Sequence, residues 1–134
     1  MSNFEVVAKF GGTSVTRPDL VRQHLTEDDP AIVVVSALGE DRSRDIRSRV
    51  TRMLGDFSVG CGDIGGIRYR HAILIEDMGL GLVAEAIFNS IGHDIEQHST
   101  RGTVIEPLGE IWAARLYGIY LDREFVDAKE VIRA

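Results

Sequence analysis

Hydrophobic and polar positions along this chain switch between strand and helix periods, and each switch marks a predicted element. Phe4 to Phe10 (FEVVAKF) is β-branched and aromatic with one lysine. It runs straight into Gly11-Gly12, so it predicts a strand that ends in a backbone-exposing turn. In Thr16-Arg17-Pro18-Asp19, Thr16 is placed to cap a helix, Pro18 suits its first turn and Asp19 follows three residues after the cap. Leu20, Val21, His24 and Leu25 continue it at helical spacing. Pro30 to Ser36 (PAIVVVS) is a continuous apolar run of strand length, the pattern of a parallel strand covered on both faces. Strand, turn, helix and strand together predict a βαβ unit.

Beyond Gly39, Ile46, Val50, Met53, Leu54 and Phe57 form one stripe of an amphipathic helix. Arg42, Arg44, Arg47, Arg49 and Arg52, interleaved with Asp41 and Asp45, read as its solvated face. Ser58 to Gly66 predicts a glycine-rich loop. Arg70 to Ile91 predicts a helix through Ile73, Leu80, Val83, Ala84, Ile87 and Ile91, with two interior glycines. Leu108 to Leu121 returns to clear helical periodicity through Ile111, Trp112, Leu116 and Ile119, with Glu110 in the first turn where a carboxylate suits the helix dipole. Phe125 to Ala128 reads as a short buried strand, and Lys129 opens a further element.

The 134 residues carry 15 Lys+Arg against 21 Asp+Glu, a formal charge of −6, with 44% hydrophobic residues. That predicts one globular α/β domain over 1–134 with a genuine core. An acidic balance argues against nucleic acid or an anionic membrane as partner. No apolar run approaches the roughly 20 residues of a membrane-spanning helix. A single cysteine, Cys61, and an opening without a leader pattern place the expectation in the cytoplasm.

Candidate chemistry concentrates in Val7 to Val15 (VAKFGGTSV). A lysine as the last inward residue of a buried strand is costly to desolvate unless it meets an anion. The glycines beyond it let backbone N–H groups approach that anion. Lys9, the Gly11-Gly12 turn and a following helix N-terminus therefore predict a phosphate site. The sequence holds only two lysines, Lys9 and Lys129, so an arginine would be the expected choice for a mere surface charge.

Lys9-Phe-Gly-Gly-Thr-Ser-Val15 after a hydrophobic strand resembles the N-terminal signature of aspartokinases, within the amino-acid kinase superfamily. Val33 to Gly39 (VVVSALG) resembles the family's second-strand motif. Leu108-Gly109-Glu110, leading into Trp112 to Leu116, resembles its Gly-Glu helix, and Val126 to Ile132 the strand after it. The likeness is strong over 4–39, weaker over 108–134 and poor between.

The resemblance implies the N-terminal lobe of a three-layer α/β sandwich with a mainly parallel sheet. It implies transfer of the γ-phosphoryl group of ATP, with Mg2+, to the side-chain carboxylate of L-aspartate, the first step of lysine, threonine and methionine synthesis. Lys9 would be catalytic, and Lys9, Phe10, Gly11, Gly12 and Thr13 would hold the nucleotide phosphates. Ser36 would line the substrate pocket and Glu110 would bind the substrate ammonium. Arg42 stands where the family carries a substrate-contacting threonine; a guanidinium can pair with a carboxylate bidentately but does not replace a hydroxyl. The family's second lobe, its nucleotide pocket and its regulatory domains are expected as a missing partner, leaving this lobe inactive alone and prone to self-association through an exposed apolar face. From the residues alone, Ser36 and Glu110 also read as ordinary helix-capping and dipole-stabilising groups. The alternative function is a non-catalytic module that binds an anion or amino acid, or dimerises.

Weaker signals point elsewhere. Gly60 to Gly65 fits a GxGxxG pattern but follows a predicted helix rather than a long strand. The four histidines fit no usual zinc spacing, and no metal ligand set is expected. Cys61 reads as an idle thiol, and Trp112 and Tyr117 as core.

Overall fold

The two predicted β-branched runs become the two strands of a computed structural model that describes residues 7–126. Strand β1 spans Val7–Phe10 and β2 spans Ile32–Val35. They pair in parallel, with Val7 opposite Ile32 and Phe10 opposite Val35. A parallel pair needs a crossover. Here it consists of a single turn, α1 (Gly12–Val15), and the longer α2 (Pro18–Asp28). Pro18 occupies the first turn of α2 as expected, but the cap residue is Arg17 and no side chain caps it. The Thr16 hydroxyl donates instead to the Thr13 carbonyl at 2.6 Å, closing α1 rather than opening α2.

Four further α-helices follow among the described residues: α3 (Val50–Ser58), α4 (Ile64–Met78), α5 (Ala84–Thr100) and α6 (Leu108–Tyr120). One cluster of buried side chains joins them to the sheet, with Trp112, Leu116, Leu54, Ile67 and Ile91 at its centre. Ala8, Phe10, Val33 and Val35 face this cluster. On the other face, Val7, Ile32 and Val34 remain 57%, 47% and 42% exposed. The expectation that Pro30–Ser36 is covered on both faces is thereby corrected: the described helices shield one side of the pair only.

Other departures have local causes. The stripe beginning at Ile46 becomes helical only from Val50, because Ile46 and Asp41 form an antiparallel bridge that closes a tight loop around a 3-10 turn at Arg42–Arg44. The predicted 70–91 helix is two helices. Gly79 sits at φ 72°, left-handed backbone that ends α4, and a 3-10 turn at Gly81–Val83 leads into α5. The glycine-rich loop ends early, since the Asp63 carboxylate accepts from the Gly65 N–H and caps α4. The 108–121 helix is present as α6, and Trp112 and Tyr117 are buried. Phe125 and Val126 lie outside any strand. Phe4 to Val6, Asp127, Ala128 and the element expected from Lys129 lie outside the described residues. No helix among the described residues is long and apolar enough to cross a membrane.

Candidate functional site

Loops leaving the C-terminal ends of parallel strands are where α/β folds gather their chemistry. Here the two loops touch through glycine. A Cβ on Gly39 would lie 2.7 Å from the Gly12 carbonyl carbon, and one on Gly12 would lie 3.0 Å from the Gly39 Cα. The Gly39 N–H donates to the Gly12 carbonyl at 2.9 Å, and the Ser36 N–H donates to the Phe10 carbonyl at 3.1 Å. Only the absence of both side chains allows this approach. It brings the Lys9–Thr13 turn against the Ser36–Gly39 turn.

A third glycine adds α6. A Cβ on Gly109 would lie 3.0 Å from the side chains of both Ala37 and Val50. The first turn of α6, with Glu110 exposed beside Gly109, therefore sits on the loop after β2. The Val50 N–H donates to the Leu38 carbonyl at 2.9 Å and fixes the start of α3 to the same loop.

Each predicted site residue has a definite place in this arrangement. Lys9 is exposed on the open face of the sheet, opposite Val34 in register. That corrects the premise of a desolvated lysine: no described element covers this face, so burial does not compel Lys9 to find an anion. Side chains two apart along a strand share a face, which puts Ser36 beyond Val34 toward the side that carries Lys9. Phe10 is half-buried against the core, Gly11 and Thr13 are exposed, and Gly12 is the contact glycine. The helix after the glycine pair is only the four-residue α1, shorter than the helix N-terminus the sequence implied. Arg42 is exposed in the 3-10 turn, and no hydrogen bond or ion pair ties it to the site among the described residues.

Beside β1, an open groove of about 460 Å³ between β1 and α2 is lined by Lys9, Thr13, Arg17 and Asp28 together with the apolar Phe10 and Leu20.

The electrostatic support for the second loop comes from residues that sequence reasoning missed. Arg70 on α4 is 5% exposed, and its guanidinium donates to the carbonyls of Gly39 and Ser48. Burial pulls its pKa below the usual arginine value, and the nearby Asp41 carboxylate opposes that shift. Asp41 is itself buried. Burial alone would raise its pKa, but hydrogen bonds from Ser43 at 2.6 Å and Arg44 at 2.7 Å outweigh it and hold the carboxyl below its ordinary value. Arg44 also reaches Asp77 at 2.8 Å, so this member of the arginine-rich segment clamps the loop to α4 instead of facing solvent freely.

Next to Arg70, His71 is fully buried. Its Nδ1 bonds to the Ile67 carbonyl at 2.8 Å, its ring meets Trp112 edge-on at 5.4 Å, and its Nε2 has no partner. Burial pushes its pKa down to about 4. No sequence feature marks Arg70 or His71 as interior, because their neighbours on α4 alternate without a clear stripe.

Lys9 and the Ser36 position thus lie toward the open face of the strand pair, while the first turn of α6, which carries Glu110, meets the loop after β2 from the core side. Among the described residues no group of three or more His, Cys, Asp or Glu side chains could hold a metal ion. No family model, curated protein or solved structure matches this chain.

Proposed function

We propose that this chain is the phosphate-clamping N-terminal lobe of an aspartokinase-like amino-acid kinase with the three-layer α/β fold. The observation that carries the reading is the triple glycine contact: Gly12 meets Gly39, and Gly109 meets Ala37. The first contact registers the two loops of the βαβ unit, and the second brings the distant Leu108–Glu110 segment onto the same loop, so three of the segments that resemble the kinase family meet at one end of the strand pair.

A carboxylate acceptor is ionised at neutral pH and needs no general base. The task of the protein is therefore positioning and charge neutralisation during in-line transfer. The Lys9 ammonium stabilises the charge on the transferring phosphoryl group, and the Gly11–Thr13 backbone lies along the phosphates. Glu110 holds the substrate ammonium, Ser36 lines the substrate pocket, and Arg42 pairs with a substrate carboxylate. The γ-phosphorus to ADP oxygen bond breaks as the aspartate oxygen bonds to phosphorus, which yields 4-phospho-L-aspartate. Mg2+ bound to ATP would supply further neutralisation of phosphate charge.

Calorimetric titration of the protein and of Lys9→Ala with Mg-ATP and, separately, L-aspartate tests the reading. The expected result is Mg-ATP binding that is lost in Lys9→Ala while aspartate binding persists. Failure of both ligands to bind the unsubstituted protein overturns it.

A further inference from the structure

Arg17 stands where the fold least favours an arginine. It is the N-cap residue of α2, yet its side chain makes no capping hydrogen bond. Ser, Thr, Asp or Asn would satisfy a free backbone N–H there. The arginine charge also opposes the positive end of the helix dipole. Its one ion pair among the described residues is loose, 3.9 Å to Asp19 with both side chains exposed.

The surroundings of Arg17 give that charge a use. It lines the groove between β1 and α2 together with Lys9, Thr13 and Ser14. A crossover helix runs antiparallel to the parallel strands it joins, so the start of α2 lies at the C-terminal end of β1, which carries Lys9. Asp28, the acid of this groove, is at the far end of the 11-residue α2, about 16 Å away at helical rise. The backbone between the two cations is fixed. The Thr16 hydroxyl donates to the Thr13 carbonyl at 2.6 Å, the Arg17 N–H to the Ser14 carbonyl at 2.9 Å, and the Tyr117 hydroxyl to the carbonyl of the fully buried Val15 at 2.8 Å. Two like charges are thus held near one end of one groove, an arrangement that an anion bridging them relieves.

We propose that Arg17 is a second phosphate-binding residue, which takes a neighbouring phosphate of the polyphosphate chain that Lys9 engages. The identification of that chain with the phosphates of a nucleotide rests on the kinase reading above. Two separate cations on one groove suit a di- or triphosphate, whose charge is itself spread along a chain, and the planar guanidinium offers paired N–H groups to adjacent phosphate oxygens.

Calorimetric titration with inorganic triphosphate and, separately, Mg-ATP tests the proposal in the unsubstituted protein, Arg17→Ser, Arg17→Lys and Arg52→Ser. Arg17→Ser supplies the missing cap, so it should raise the urea midpoint while weakening triphosphate binding about tenfold. A purely structural arginine would not move the two in opposite directions. Arg17→Lys keeps the charge and should recover part of the affinity. Arg52→Ser removes the same charge from the exposed face of α3 and should leave the affinity unchanged. Triphosphate binding that Arg17→Ser leaves intact, or that Arg52→Ser weakens equally, overturns the proposal. So does a fall of stability and affinity together in Arg17→Ser, or an unsubstituted protein that binds no triphosphate. Triphosphate binding that depends on Arg17, without any binding of Mg-ATP, would instead overturn the kinase reading and leave the two-cation anion site standing.

Discussion

Gly39 donates its N–H to the carbonyl of Gly12 at 2.9 Å, and neither residue has room for a side chain against the other. This contact registers the two loops at the C-terminal end of the sheet. Gly39→Ala would press a methyl group against backbone, which cannot yield as a flexible side chain can. The expected cost is about 2 kcal/mol in urea denaturation. A Gly39→Ala protein as stable as the parent would mean that the loops part easily and that the contact does not define the site.

Lys9 separates function from stability. It is exposed and has no hydrogen bond or ion pair among the described residues. Lys9→Ala should therefore leave the unfolding free energy from urea denaturation within about 0.5 kcal/mol of the parent, while Mg-ATP binding disappears. Extensive unfolding of Lys9→Ala would assign the lysine to the fold instead.

Arg70 should behave in the opposite way. Its two carbonyl acceptors, Gly39 and Ser48, belong to loop segments on either side of the Arg42–Arg44 turn. Arg70→Met leaves the buried Gly39 carbonyl, and the more exposed Ser48 carbonyl, without this donor and should cost about 2 kcal/mol. Arg70→Lys, with a single ammonium in place of a planar fork, should recover only part of that loss. Thermal melts of the pair would show the difference, and equal stability of both variants with the parent would remove Arg70 as the brace of this loop.

His71 makes stability depend on pH in a defined direction. Its folded pKa of about 4 lies below the ordinary value of 6.5, so between these limits the unfolded chain binds more protons than the folded one. Stability contributed by the neutral ring is fully present above pH 6.5 and is lost as pH falls toward 4, by about 3 kcal/mol in all. Asp41, held below 3.8, gives up its own contribution only at still lower pH. Trp112 is the only tryptophan and lies edge-on to the ring, so its fluorescence follows the transition. Denaturation at pH 7 and pH 5 should differ for the parent and much less for His71→Phe; an unchanged slope in that variant would assign the effect to other groups.

The βαβ beginning was legible because its signals are local. Runs of Val, Ile and Phe prescribe strands, Pro18 suits only a first helical turn, and the spacing of Val21 and Leu25 selects one helix face. The same holds for α6, where Trp112 and Leu116 repeat at helical period. The glycines of the site read as turn formers, so that Lys9 and Phe10 at a strand end, Gly11–Thr13 in the turn, Ser36 at the next strand end and Glu110 at a helix start were legible as positions, though not in their contacts.

What the local code could not supply was which surfaces meet. Gly79 reads in sequence like any tolerated interior glycine, and only its left-handed backbone shows that α4 ends there. Helix α4 packs against α2, α3 and α5 and keeps no clean polar face, so its limits and its buried Arg70 and His71 carry no periodic mark. The open face of the sheet is the reverse case: Ile32 and Val34 have the composition of covered positions, yet no described element lies over them. Sequence determined the elements through short-range sterics and hydrophobic period. Tertiary structure decided the Gly12–Gly39 contact, the burial of Arg70 and the exposure of Lys9, because each depends on partners distant along the chain.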